Sequence, residues 1–338
     1  MPTDPAPHLS VIVPFHDNPE QLEQCLAALA ASTLAHELIC VDDASRDTRA
    51  PELARRATPH VVRLERNSGP AVARNAGAKL ARSDVLVFVD SDCVVTPRTL
   101  EQMRDALRDE PGAAALFGSY DDAPASRGLV SEYRNLLHHW THHTGPREAS
   151  TFWAGCGAIR KRAFEAVGGF DSAYRRPSIE DIELGMRLRA AGERILLLPQ
   201  IQCKHLKRWR LVDMVVVDVT RRAIPWTRLL IDRPGAGGDL NLEWKQKLCV
   251  ALVFLALLAA PLGALVPQAR DIAAWAWAPL ALLAPVLWIN RGLYGLFLRR
   301  KGLGFLLGAL PLHLLYFVYG GLAYAWTRAT HRPARSAS

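Results

Sequence analysis

No C-x-x-C pair occurs in this sequence of 338 residues, although it holds six cysteines, at positions 25, 40, 93, 156, 203 and 249. They lie in or beside apolar stretches. They read as small buried hydrophobes in a reducing compartment, not as a disulfide framework. Helix-turn-helix and zinc-finger spacings are also missing, which argues against a nucleic-acid partner. Residues 1–10 are rich in proline and lack an apolar core, so no signal peptide is expected there. No long apolar run precedes Leu248. Residues 1–246 have the composition of an ordinary soluble domain, expected on the cytoplasmic side. Acid is scarcer than base, with 33 Asp and Glu against 41 Lys and Arg and a net charge of +8. A modest excess of arginine beside apolar spans suits anionic lipid and phosphate.

The stretch that organises the rest is Val85–Val89, an unbroken apolar run ending in Asp90-Ser91-Asp92. Such a run predicts a strand buried on both faces. Ligands of open α/β sheets bind beyond the carboxyl ends of such strands. Two carboxylates there are hard ligands for Mg²⁺ or Mn²⁺, ions that share their shell with substrate phosphates. About one D-x-D arises by chance in a chain of this length, so the strand before it carries the weight.

Other strands are predicted at 10–14, stopped by Pro14, at 38–41, ending in Asp42-Asp43, at 60–64 and at 194–198. Asn18-Pro19, Pro70 and Thr96-Pro97 open helices between them. The helix from Pro70 carries Ala71, Ala73, Ala76, Gly77 and Ala78, small enough to lie close to a sheet. The β-α-β-α-β order predicts a parallel, doubly wound sheet.

Further on, His138, His139, His142 and His143 have helical metal-ligand spacing, but no Cys or carboxylate accompanies them. A packing or wetted helix suits them better. Gly155 and Gly157 sit in an apolar stretch, where glycine marks close approach of a ligand or backbone. Ser178 to Glu183 opens a helix with Glu180, Asp181 and Glu183 in its first turn. Two readings stand side by side: Ser178 and Asp181 as a capping box, or Asp181 as a general base. Residues 211–231 mix valines with Arg221, Arg222, Arg228 and Trp226. They suit an interfacial helix or a core-packed one equally.

Residues 248–266, 272–289 and 303–326 are apolar and free of charge, long enough to cross ~30 Å of hydrocarbon. Arg291, Arg299, Arg300 and Lys301 form a loop between the last two, placed in the cytoplasm by the positive-inside rule. The tail beyond carries Arg328, Arg332 and Arg335, which fits that orientation poorly unless the third segment is re-entrant. The expected organisation is an α/β domain at 1–209, an interfacial linker at 210–246, a membrane region at 247–327 and a tail at 328–338.

In order, P-F-H-D, V-D-D-A-S-R-D, N-S-G-P-A-V-A-R-N-A-G, D-S-D, W-A-G-C-G-A, G-G-F-D and E-D-I-E-L-G resemble the inverting family 2 glycosyltransferases of the GT-A fold. The resemblance covers about residues 9–210. It implies an α/β, Rossmann-like domain with a mainly parallel sheet, followed by a helical membrane region. It implies a nucleotide-diphosphate sugar, usually uridine-based, bound by Pro14, Asp42, Asp43, Gly69, Asp90, Gly155 and Glu180. Asp42, ahead of Asp43, matches the base-contacting acid. Asp90 and Asp92 match the acids that hold ribose and a divalent cation, Mg²⁺ or Mn²⁺, and His205 completes the metal shell. Asp181 matches the catalytic base, and an ordinary Asp, titrating near ~3.9, is ionised at cytoplasmic pH. Trp153, Arg208 and Trp209 fall where an acceptor would lie. His205-Leu206-Lys207-Arg208-Trp209 stands where processive relatives carry Q-x-x-R-W, with His in place of Gln. The expected function is sugar transfer to a lipid or lipid-linked acceptor by a multi-pass protein of the inner membrane. The alternatives are elongation of a cell-surface polysaccharide, or a scaffold that keeps the sheet without catalysis.

Overall fold

The computed structural model describes residues 9–233, 244–265 and 274–333. Two compact units divide them: residues 9–127 with 141–208, and residues 128–140 with 209–233 and the described residues from 244 onward.

In the first unit the strands are β1 (Ser10–Phe15), β2 (Glu37–Asp42), β3 (Val61–Arg63), β4 (Val85–Val89), β5 (Cys93–Val95), β6 (Ala113–Tyr120), β7 (Cys156–Arg160) and β8 (Arg194–His205). The helices are α1 (Pro19–Ala30), α2 (Arg49–Ala57), α3 (Pro70–Leu80), α4 (Thr99–Asp109), α5 (Leu129–Thr144), which continues into the second unit's residues, α6 (Lys161–Ala166) and α7 (Glu180–Ala190). The sheet order is β3-β2-β1-β4-β7-β6-β8-β5.

The first four of these run parallel, but β7 is antiparallel to both β4 and β6, and β5 is antiparallel to β8. With β6 and β8 parallel as well, the sheet is mainly parallel, as expected, but mixed, because β7 and β5 enter it reversed. An apolar run buried on both faces fits either direction of pairing, so the residues of β7 carry no mark of their orientation.

Alternate residues serve opposite faces. Val11, Val13, Val87 and Val89 pack with Leu22, Leu26 and Leu29 of α1 and with Leu100 and Met103 of α4. Ile12 and Phe88 face the other way. A Cβ on Gly77 would lie 2.5 Å from Ile12 Cγ2, so α3 rests directly on the sheet. Phe88 meets Phe164 and Phe170 at 5.6 and 5.1 Å. Each of these buried side chains contributes roughly 1.5–3 kcal/mol.

Two strands run further than predicted. β1 passes through Pro14 to Phe15. Phe15 accepts from Asp43 on the β2 side, so Pro14 faces β4, where the pairing stops at Ile12–Phe88 and no N–H is required. β8 continues to His205, because residues 203–205 pair with β5.

In the second unit, residues 211–231 are not one helix. Leu211–Val217 and Ile224–Asp232 are α-helical, with a π-helical turn over Asp218–Ala223 between them. Pro225 offers no N–H to the preceding turn, and the ladder widens there. Val212 and Val216 are exposed while Met214 and Asp218 are buried. Asp218 accepts from Arg134 at 2.5 Å and from Tyr319 Oη at 2.7 Å, which satisfies a charge set among apolar helices.

Helices follow at Trp244–Leu265, Ala274–Ile289, Arg291–Lys301 and Leu303–Thr330. Residues 291–301, expected as a loop, are helical because Leu293, Tyr294, Leu296 and Phe297 form one buried face, and Gly302 with φ 82° ends the helix. Among the described residues, Leu303–Thr330 is the one unbroken helix long and apolar enough to cross a membrane. Trp277–Ile289 and Arg291–Lys301 pass the same test only together, bent by 74°. The expected spans at 248–266 and 272–289 extend into residues 266–273, outside the described residues.

Candidate active site

The end of β4 delivers the first acids. Asp90 N–H donates to the Gly155 carbonyl at 3.1 Å, and Cys93 N–H donates back to Asp90 O at 2.9 Å, closing a tight turn. Asp90 and Asp92 therefore stand at the carboxyl edge of the sheet. Cys93 pairs with His205 across β5 and β8. That register brings His205 Nε2 to 3.5 Å from Asp92 Oδ2, with the imidazole stacked on Tyr120 at 4.2 Å. Burial pushes Asp92 upward, but His205 and Lys207 outweigh it and hold the carboxyl below its ordinary range. Asp90 goes the other way, raised by burial and by Asp92 against the pull of Arg74.

The second group of acids comes from α7. Its N-cap is Ile179. The return bond expected of a capping box goes elsewhere, with Ser178 N–H donating to Glu180 and not to Asp181. Asp181 instead accepts from Ala154 N–H at 3.1 Å and from Ile182 N–H at 2.8 Å. Burial, then the neighbouring Glu180, push Asp181 up to about 7 against Arg74 and the Ala154 N–H. This corrects the expectation of an ordinary carboxylate. Glu180 accepts from Ser178 N–H at 2.8 Å and is fully enclosed.

Arg74 of α3 joins the two groups, and the motif reading missed it. Its guanidinium donates to Asp90 Oδ1 at 2.6 Å and to Glu180 Oε1 at 2.9 Å, with 5% of the side chain exposed. Removing one partner of such a buried ion pair costs on the order of 3–5 kcal/mol. The available signal was one charged side chain on a helix face otherwise made of Ala and Gly. The next residue, Asn75, brackets Phe170 through its backbone N and O at 2.9 and 2.8 Å, fixing the G-G-F-D turn.

At the β1–β3 end the acids turn inward. Asp42, fully buried, accepts from Ser45 N–H at 2.8 Å and from Arg63 at 2.7 Å. Asp43 accepts from Ser68 and Gly69 N–H at 2.7 and 2.8 Å, which shapes the N-S-G turn. Gly69 has φ 90°, and a Cβ there would lie 2.6 Å from the Arg175 backbone. Gly69→Ala is accordingly expected to cost about 1–3 kcal/mol. A thermal melt of the detergent-solubilised chain reads this, and an unchanged midpoint would contradict it.

The remaining candidates divide. A Cβ on Gly155 would lie 2.5 Å from the Trp153 indole, so this glycine makes room for a neighbouring ring. Trp153 packs edge-on against Tyr120 at 4.8 Å and His142 at 5.3 Å. Arg208 closes the first unit, whereas Trp209 belongs to the second, where its N–H donates to Ser131 Oγ at 2.8 Å. His142 Nδ1 pairs with the Gly118 carbonyl at 2.9 Å. Among the described residues, no three His, Cys, Asp or Glu side chains form a metal cage by themselves.

The order of these motifs along a mixed sheet, with acids at its carboxyl edge, matches the family described as Glycosyl transferase family 2 over residues 10–168. Those residues are a family 2 glycosyltransferase domain. The domain is similar to O-antigen biosynthesis protein RfbC of Myxococcus xanthus, 28% identical over 226 residues, covering 60% of this chain and 18% of that protein. It is also similar to an uncharacterized glycosyltransferase of Haemophilus influenzae, 28% identical over 190 residues, covering 53% of this chain and 61% of that one. The chain thus spans less than two thirds of the length of either relative. Its fold resembles that of the mannosyltransferase PcManGT from Pyrobaculum calidifontis, solved with GDP-Man and Mn²⁺. The TM-score is 0.51 at 18% identity, covering 95% of this chain and 88% of that one.

Proposed function

We propose that this chain is a membrane-associated glycosyltransferase that moves a sugar from a nucleotide-diphosphate sugar to a lipid or lipid-linked acceptor, with inversion at the anomeric carbon. The observation that carries this reading is the meeting of Asp90, Glu180 and Asp181 around Arg74 at one edge of the sheet, with Asp92 beside Asp90. In the proposed reaction the Asp181 carboxylate takes the proton of the acceptor hydroxyl as its oxygen attacks the anomeric carbon. The bond to the diphosphate breaks on the opposite face, and a single displacement inverts the centre.

The donor set fits a divalent cation. Asp92 and His205 are two neighbouring oxygen and nitrogen ligands, with the second oxygen of Asp90 in reserve. Mg²⁺ and Mn²⁺ commonly take one or two protein carboxylates and complete their shell with phosphate and water. Bound there, such an ion would offset the charge that grows on the departing diphosphate. Asp42 would act on the nucleoside through Arg63, which it holds, and Asp43 and Gly69 would shape the turn beneath the phosphates. The family resemblance favours a uridine nucleotide, while the structural neighbour was solved with GDP-Man.

The membrane part of the proposal is supported by Leu303–Thr330 and by the exposed Arg299, Arg300 and Lys301 at the end of the preceding helix. The domain would then work on the cytoplasmic side of the inner membrane, within reach of a lipid headgroup. The O-antigen role of the Myxococcus relative favours a second reading, elongation of a surface polysaccharide.

The test is direct. Purified full chain in lipid-containing micelles, given Mn²⁺ and labelled UDP- or GDP-sugars, is expected to label the lipid fraction with one sugar per acceptor. A ladder of products would favour elongation. No transfer from any donor to any acceptor, with the nucleotide bound, would leave the scaffold reading.

A further inference from the structure

We infer that Arg74 is a positioning residue that holds acids from two separate segments, Asp90 and Glu180, as one charged unit around Asp181. The inference rests on the proposed role of Asp181 as the base. The placement of Arg74 has no other evident purpose. Its helix face is otherwise small and apolar, with Ala71, Ala73, Gly77 and Ala78 buried beside it. A guanidinium is poorly accommodated on such a face unless each side of its planar fork finds a carboxylate, and here both do. The Phe170 ring lies 5.3 Å from its central carbon, and Asn75 fixes that ring's backbone. Arg74 Nε is buried without a partner, so the group is aimed by its two terminal nitrogens alone.

The groups facing Asp181 come from several elements. Glu180 precedes it on α7, Arg74 reaches it from α3 and Asp90 from the end of β4. The Ala154 and Ile182 N–H groups donate to it. Arg74 is the cation of this set. It lowers the Asp181 proton affinity, whereas Glu180 raises it. Two substitutions should therefore move the ionisation of the base in opposite directions, which a residue that merely supports the fold would not do.

The experiment is the pH profile of kcat/KM, which reports groups of the free enzyme, for the full chain in lipid micelles with saturating Mn²⁺. Arg74→Gln is expected to move the rising limb to higher pH by about one unit or more. Glu180→Gln is expected to move it to lower pH, with donor KM changed less than the limb. Arg74→Lys keeps a charge but reaches one carboxylate at a time, and should restore the limb more fully than kcat. If Arg74→Gln does not fold, the acid shift of Glu180→Gln decides: present, it supports the inference, and absent, it overturns it. Limbs that stay in place or move the same way in both variants overturn it. Full activity in Asp181→Asn would overturn it as well, by removing the base on which it rests; a dead Asp181→Asn with immobile limbs would overturn the Arg74 role alone.

Discussion

Asp181→Asn is expected to lower kcat by about 10²–10⁴-fold, the range lost when a positioned general base is removed. Asparagine keeps the shape of the side chain and an oxygen to accept from Ala154 N–H, so the start of α7 should stay in place. What it loses is the capacity to take a proton. Donor affinity should change little, because the base acts on the acceptor. The wild-type rate should also depend on pH in a stated direction. The active form is the carboxylate, and burial with Glu180 beside it raises Asp181 to about 7. Activity is then low near pH 6, rises through neutrality and levels above pH 8. An ordinary aspartate would give a flat profile over that range. A flat profile, or a variant with unchanged kcat, would move the base elsewhere.

The second large effect is expected at Asp92. Removing its carboxylate, as in Asp92→Ala, should cost several kcal/mol of transition-state stabilisation, about 10²–10³-fold in kcat/KM. The reasoning is electrostatic. Asp92 is held below the ordinary carboxylate range by His205 and Lys207 in spite of burial, so it remains charged and available to a cation. It sits 3.5 Å from His205, whose imidazole nitrogen would be the second ligand. Chelation of the wild type should reproduce the loss, and added Mn²⁺ should reverse it. In a thermal melt, Mn²⁺ with a nucleoside diphosphate should stabilise the wild type and not the variant. Equal stabilisation of both would assign the ion to other residues.

These expectations differ in how visible their grounds were in the sequence. The strand at Val85–Val89 and the acids after it were legible because they are local: an apolar run and the residues that end it lie within a few positions. The same holds for the helices opened by Pro19 and Pro70, and for the small face of α3 that allows Gly77 to approach Ile12. Arg74 was not legible as a site residue. Its partners lie 16 and 106 positions away, and no periodicity reports such a pair. The crowding at Gly155 was not legible for a related reason, since the nearest atoms belong to Trp153 and only the folded loop brings that ring back.

The sequence by itself determined the strands β1 to β4, the helices that follow Asn18 and Gly69, which residues are acidic at the strand ends, and that apolar helices follow the domain. Apolar period and capping chemistry act over a few residues, so they can be read along the chain. Only the tertiary structure decided the antiparallel entry of β7, the inward turn of Asp42 and Asp43, the elbow at residues 289–291 and the raised proton affinity of Asp181. Each of these depends on which distant groups exclude water or share a charge, and desolvation and Coulomb interaction follow distance in space, not position in the chain.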